Sequence, residues 1–134
     1  MYTSADRETL LADLVAFSKK RPDVLSFILV GSGARGFTDQ YSDLDVLLVA
    51  KEKEDVAAVQ EACAGFLNEH YSILKQKVYH HRKDIIVSCF FLDHYLELDL
   101  GVWSMAQLRA TKPDWKVFFD HEQSSQRQLE KNIG

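Results

Sequence analysis

Apolar residues recur at helical spacing over residues 4–20, where Leu10, Leu11, Leu14, Val15 and Phe17 fall on one stripe. Ser4 or Thr3 is placed to cap this helix, Lys19, Lys20 and Arg21 suit its C-terminal end, and Pro22 stops it. The pattern then changes period. Residues 24–30 and 44–50 are short, nearly continuous apolar runs bounded by polar segments, which predicts two buried strands. A second amphipathic helix is expected over residues 54–70, with Val56, Val59, Ala62, Cys63, Phe66 and Leu67 facing inward. Residues 73–79 suggest a short edge strand. Residues 85–92 and 95–103 suggest two strands joined by a tight turn at Asp93-His94, and so an antiparallel hairpin. A short helix around 104–110 and a strand over 115–119 complete the series. Helices bracketing a mixed sheet of about five strands give an α+β fold.

Length sets one domain over residues 1–134, with residues 119–134 as a polar tail. The net charge of −4 matters more. A protein that binds nucleic acid usually carries a basic face or stripe. Here the basic residues form only short clusters, at 19–21 and between Lys75 and Lys83, which argues against a nucleic-acid partner. The two cysteines, Cys63 and Cys89, fall in a helix pattern and a strand pattern with no Cys-x-x-Cys spacing, and are expected to be buried reduced thiols. The N-terminus has no signal-peptide apolar region and no stretch is long enough to span a bilayer, so a cytoplasmic protein with no membrane partner is expected.

The candidate chemistry lies in three places. Gly31-Ser32 follows the first apolar strand and opens the turn Gly31-Ser32-Gly33-Ala34-Arg35-Gly36. Glycine lets a phosphate approach the backbone, and amides at a helix start point at it. Asp43 and Asp45 begin the second strand at i and i+2, so both point to one face. Asp99 sits in the alternating run Leu96-Glu97-Leu98-Asp99-Leu100. Aspartate is depleted in strands, and a carboxylate facing an apolar sheet without a partner is costly. Three acids converging from two central strands near one end of the sheet suit two divalent cations. Arg35 is placed either to neutralise a departing pyrophosphate or to pair with Asp39 at the surface. Glu97 shares a face with Asp99, as a general base or as a strand-end charge. His80 and His81 are adjacent, so they point to opposite faces of a strand and cannot share an ion. They read as loop histidines. Trp103 and Trp115 read as core or edge residues.

At Gly31-Ser32, Asp43-x-Asp45 and Asp99 the chain resembles the polymerase-beta-like nucleotidyltransferase superfamily. The turn is similar to the Gly-Ser-x-Ala-Arg-Gly form of antibiotic and minimal nucleotidyltransferases, except that Gly33 replaces the frequent arginine at x and removes one phosphate contact. The resemblance covers about residues 24 to 120. It implies Mg²⁺-dependent transfer of a nucleoside monophosphate, first of all AMP from ATP, to a hydroxyl of a small molecule such as an antibiotic. The alternative is a minimal enzyme that modifies a partner protein, or a nucleotide-binding module without catalysis. It implies metal ligation by Asp43, Asp45 and Asp99, with the triphosphate at Gly31, Ser32 and Arg35. Antibiotic-modifying members continue into a helical second domain. A dimer mate, a second chain or such a C-terminal domain is therefore expected to complete the acceptor pocket.

Overall fold

The computed structural model describes residues 4–30, 44–82, 84–93, 96–108 and 115–121. Helix α1 (Ser4–Lys19) leads into strand β1 (Val24–Val30). Strand β2 (Leu44–Ala50) is followed by a 3-10 turn at Lys53–Asp55 and helix α2 (Val56–His70). Then come β3 (Ile73–Arg82), β4 (Ile85–Leu92), β5 (Glu97–Ser104), a second 3-10 turn at Met105–Gln107, and β6 (Trp115–Asp120). The strands form one sheet in the order β3-β4-β5-β2-β1-β6. The β2–β5 pair is parallel and the other neighbours are antiparallel. This is the expected α+β architecture with a mixed sheet, and its six strands are close to the expected number of about five.

The edge strand expected over 73–79 is β3, which is ten residues long and extends to Arg82. Its pattern is weak because residues 74–81 are exposed on both faces, as an edge strand permits. His80 and His81 are exposed residues of this strand and not of a loop. The short helix expected over 104–110 is a single 3-10 turn, after which Leu108 is buried.

Strand alternation sorts the residues into two faces. Leu44, Val46, Leu48 and Ala50 of β2 lie on one side, with Leu98, Leu100 and Val102 of β5 and Ile86 and Phe90 of β4. Both helices cover that face. Leu10 and Leu14 of α1 and Val56, Val59, Cys63 and Leu67 of α2 join the same buried cluster. Complete burial of each leucine is worth about 1.5–3 kcal/mol. Phe17 of α1 stacks on Phe66 of α2 with ring centroids 4.6 Å apart, and the Tyr71 hydroxyl donates a hydrogen bond to Asp13, so the two helices are also tied to each other. The most buried positions of α1 are Arg7, Leu10, Leu14 and Ser18, while Leu11, Val15 and Phe17 are half-buried. At the C-terminal end of α1, Arg21 forms a two-pronged pair with Asp23 at 2.9 and 2.7 Å. Among the described residues no helix is long and apolar enough to cross a membrane.

A buried polar contact crosses the helix–sheet interface. The Gln60 amide donates to the Ser88 hydroxyl at 3.0 Å, and both residues are buried. Gln60→Ala removes the donor and leaves Ser88 facing an apolar space, at a cost of about 1–3 kcal/mol. Urea denaturation of the variant is expected to show this loss with an unchanged m-value, and equal stability would mean that the bond contributes nothing.

The opposite face carries a smaller cluster. Ile28 of β1, Leu47 and Val49 of β2 and Leu108 are buried there, with Trp103, Met105, Trp115 and Val117 packed around them. This cluster leaves the starting ends of β2 and β5 for polar residues.

Candidate active site

Asp45 and Asp99 are direct partners across the parallel β2–β5 pair. Their apolar neighbours fix this register. Leu44 pairs with Leu98 and Val46 with Leu100, all buried under the helices. A one-residue slip of either strand would turn its leucines outward and its acid into the core. Alternation therefore forces both carboxylates onto the face away from the helices, on strands about 4.8 Å apart. Both residues are half-buried.

The neighbouring antiparallel pair extends the row. Cys89 of β4 stands opposite Asp99, and Phe91 opposite Glu97. One donor atom each from Cys89, Glu97 and Asp99 lies within 4.8 Å of the others. The Cys89 thiol hydrogen-bonds to Asp99. Partial burial, that bond and the charges of Asp99 and Glu97 push the thiol up to about 12, against the opposing pull of Lys77. Cys89 is thus a neutral thiol at neutral pH, and it donates to the carboxylate beside it.

A cavity of about 130 Å³ opens over these acids, lined by Val30, Asp45, Leu47, Val87, Asp99, Gly101 and Trp103 among others. Gly101 forms its floor. A Cβ at that position would lie 3.2 Å from Trp103 Nε1 and 3.4 Å from a Leu47 methyl, so the indole and the leucine occupy the space a side chain would need. Of the two tryptophans, Trp103 borders the acidic cavity, and Trp115 packs in the apolar cluster on the same side of the sheet.

The structure brings Asp45 and Asp99 together and places Glu97 on their face. Asp43, Gly31, Ser32 and Arg35, together with Asp39, lie outside the described residues. Val30, the last residue of β1, lines the cavity, and Gly31 follows it in the sequence. Sequence reasoning missed Cys89 and Gly101 as neighbours of the acids. The signal for Cys89 is the hairpin register, which is fixed by the Leu92 amide donating to the Leu96 carbonyl at 2.8 Å.

The donor set is suited to a divalent cation. Like charges directly opposite each other on adjacent strands are unfavourable. Two half-buried carboxylates side by side, with the Glu97 carboxylate near Asp99, form an oxygen-rich site that a hard cation would relieve. Open space beside them leaves room for phosphate oxygens.

A family model described as a nucleotidyltransferase domain matches residues 13–104. Among solved structures the fold is similar to a cytoplasmic RNA terminal U-transferase, at 17% identity and a TM-score of 0.53, over 73% of this chain and 30% of that one. It also matches the GLD-2/RNP-8 complex at 20% identity and a TM-score of 0.48, over 74% and 40% of the two chains. A third match is terminal uridylyl transferase 4 from Trypanosoma brucei with bound CTP, at 14% identity and a TM-score of 0.45, over 75% and 35%. The chain therefore spans less than half the length of these structural relatives. Comparison with curated proteins returned no match.

Proposed function

The chain belongs to the nucleotidyltransferase domain family, and we propose that it is a nucleotidyltransferase that transfers AMP from ATP to a hydroxyl of a small molecule, using Mg²⁺ held by Asp43, Asp45 and Asp99. The observation that carries this reading is the register that seats Asp45 beside Asp99 on the open face of the sheet. Nucleotidyl transfer is in-line displacement at the α-phosphorus, and a protein promotes it by positioning and by stabilising charge on oxygen. Asp45 and Asp99 supply paired carboxylates from two different strands, with Asp43 two positions before Asp45. When bound, the divalent ions would lower the pKa of the acceptor hydroxyl and offset the charge that builds on the phosphate oxygens.

The protein's own groups divide the remaining work. Gly31 and Ser32, which follow β1 in the sequence, would hold the triphosphate, and Arg35 would neutralise the leaving pyrophosphate. Val30, Leu47 and Val87 border the cavity with apolar surface, which limits water around the reacting groups. Asp99, on the strand farther from β1, orients the acceptor hydroxyl, with Glu97 two residues away on the same face.

Calorimetry with ATP, GTP, CTP and UTP tests the reading. Binding is expected only when Mg²⁺ or Mn²⁺ is present, and tightest for ATP. Absence of metal-dependent binding for all four triphosphates would overturn it.

A further inference from the structure

We propose that the acceptor is a phosphate-bearing compound with a free hydroxyl, held by Lys75 and Lys77 on the open face of β3. The proposal rests on the nucleotidyl-transfer reading and names the substrate class of that site.

The strand order gives the site two sides. The acids stand on β2 and β5. On one side lies β1, which Gly31 and Ser32, proposed for the triphosphate, follow in the sequence. On the other side lie β4 and then β3. In-line attack requires the acceptor to approach opposite the leaving pyrophosphate. The acceptor therefore arrives over β5, β4 and β3, and side chains on the acid-bearing face of those strands are the ones it meets.

Register identifies these side chains. Cys89 pairs with both Asp99 and Lys77, so Lys77, Cys89, Asp99 and Asp45 form one transverse row across four strands. The next row toward the start of β5 runs Lys75, Phe91, Glu97. Both lysines of β3 thus point to the acid-bearing face, while Gln76 and Val78 point to the other. Lys77 stands two strand spacings from Asp99, about 10 Å. Tyr79, about half exposed, follows on the same face and pairs with Val87, a residue of the cavity wall.

Charge selects the class. An approach lined by two exposed lysines and an exposed aromatic ring attracts phosphate and offers a surface for a base to stack on. The same approach repels a polycationic amino-sugar. The net charge of −4 points away from anionic partners, but the two positive groups of β3 are concentrated on the one face that a phosphate-bearing acceptor would cross. Lysines on an edge strand also discourage edge-to-edge pairing. That role makes no demand on the acceptor, so a binding experiment separates the two.

The test is fluorescence anisotropy on the whole chain, saturated with Mg²⁺ and a non-hydrolysable ATP analogue so that the triphosphate site is filled. Three labelled probes are compared: a nucleoside monophosphate, a single-stranded oligonucleotide with a free 3′ hydroxyl, and a polycationic aminoglycoside. Both phosphate probes are expected to bind, more weakly as salt rises, and the aminoglycoside is not. Charge reversal in K75E/K77E is expected to weaken the phosphate probes by about tenfold or more. The milder pair K75A/K77A should weaken them in the same direction and serves if the reversal impairs folding. Equal affinity for the two phosphate probes assigns a small phosphate ester, and much tighter oligonucleotide binding assigns a strand end. Both results uphold the proposal. Binding of the aminoglycoside in their place, or phosphate binding indifferent to both lysine pairs, overturns it. So does failure of both phosphate probes while the ATP analogue binds. Failure of the analogue itself overturns the nucleotidyl-transfer reading, and this proposal with it.

Discussion

Asp45→Asn and Asp99→Asn are each expected to lower nucleotidyl transfer by about 10²–10³-fold or more while the chain stays folded. Each change removes one charge and keeps the shape. Neither residue belongs to the buried cluster beneath the helices, and their pairing relieves no apolar surface. The fold should therefore tolerate the substitutions, because Leu44–Leu98 and Val46–Leu100 still hold the register. Ligand binding and turnover should separate between the two variants. Asp45 stands on the strand next to β1, on the triphosphate side, so its loss should weaken metal-dependent ATP binding and turnover together. Asp99 stands toward β4, on the acceptor side, so its loss should lower turnover more than ATP binding. Thermal unfolding gives a readout that does not depend on activity. A cation that binds only the folded state raises its melting temperature by mass action. Mg²⁺ or Mn²⁺ should raise that of the native chain and do so much less for either variant. Full transfer activity in either variant, or an undiminished metal-induced shift in both, would remove these carboxylates from the site.

Most of this architecture follows from hydrophobic period alone, and the exceptions have identifiable causes. Strands β1 and β2 are continuous apolar runs because both faces are packed, one under helices and the other against Trp103, Trp115 and Leu108. Asp45 stands out in such a run as the polar residue among buried neighbours. The end of strand β3 beyond Tyr79 is harder to see, since an edge strand exposed on both faces has no alternation to reveal it. The Cys89–Asp99 neighbourhood depends on loop length. A two-residue turn on Asp93-His94 would pair Cys89 with Leu98. The observed hairpin is one residue longer in register and pairs Cys89 with Asp99 instead. A single-residue difference in a turn thus decides what stands beside a candidate metal ligand, and period-2 patterning cannot fix it. Gln60 shows a different limit. Its place on the inner face of α2 fits the helical stripe, but its identity makes sense only once Ser88 is seen across the interface.

Gly101→Leu is expected to cut transfer by about 10²-fold, the scale on which small misplacements at a reacting centre act, with a stability change of only about 1–3 kcal/mol. The glycine lies two residues after Asp99 on the same face, directly opposite Leu47 and Val87 on the flanking strands. A single added carbon already comes within 3.2 Å of Trp103 Nε1 and 3.4 Å of Leu47. Gly101→Ala can be accommodated by a few tenths of an ångström of movement in the indole, and should leave most of the activity. A leucine cannot. Its branched end must either displace Trp103 or extend into the 130 Å³ cavity beside Asp45 and Asp99, where the substrate's phosphate would sit. The backbone itself has no reason to object, because a larger side chain suits a strand better than glycine does. Loss of function should therefore exceed loss of stability, and should grow from alanine to leucine. Transfer rates and urea midpoints measured on both variants decide the matter. If Gly101→Leu transfers at the native rate, the cavity over the two acids is not where the reaction takes place.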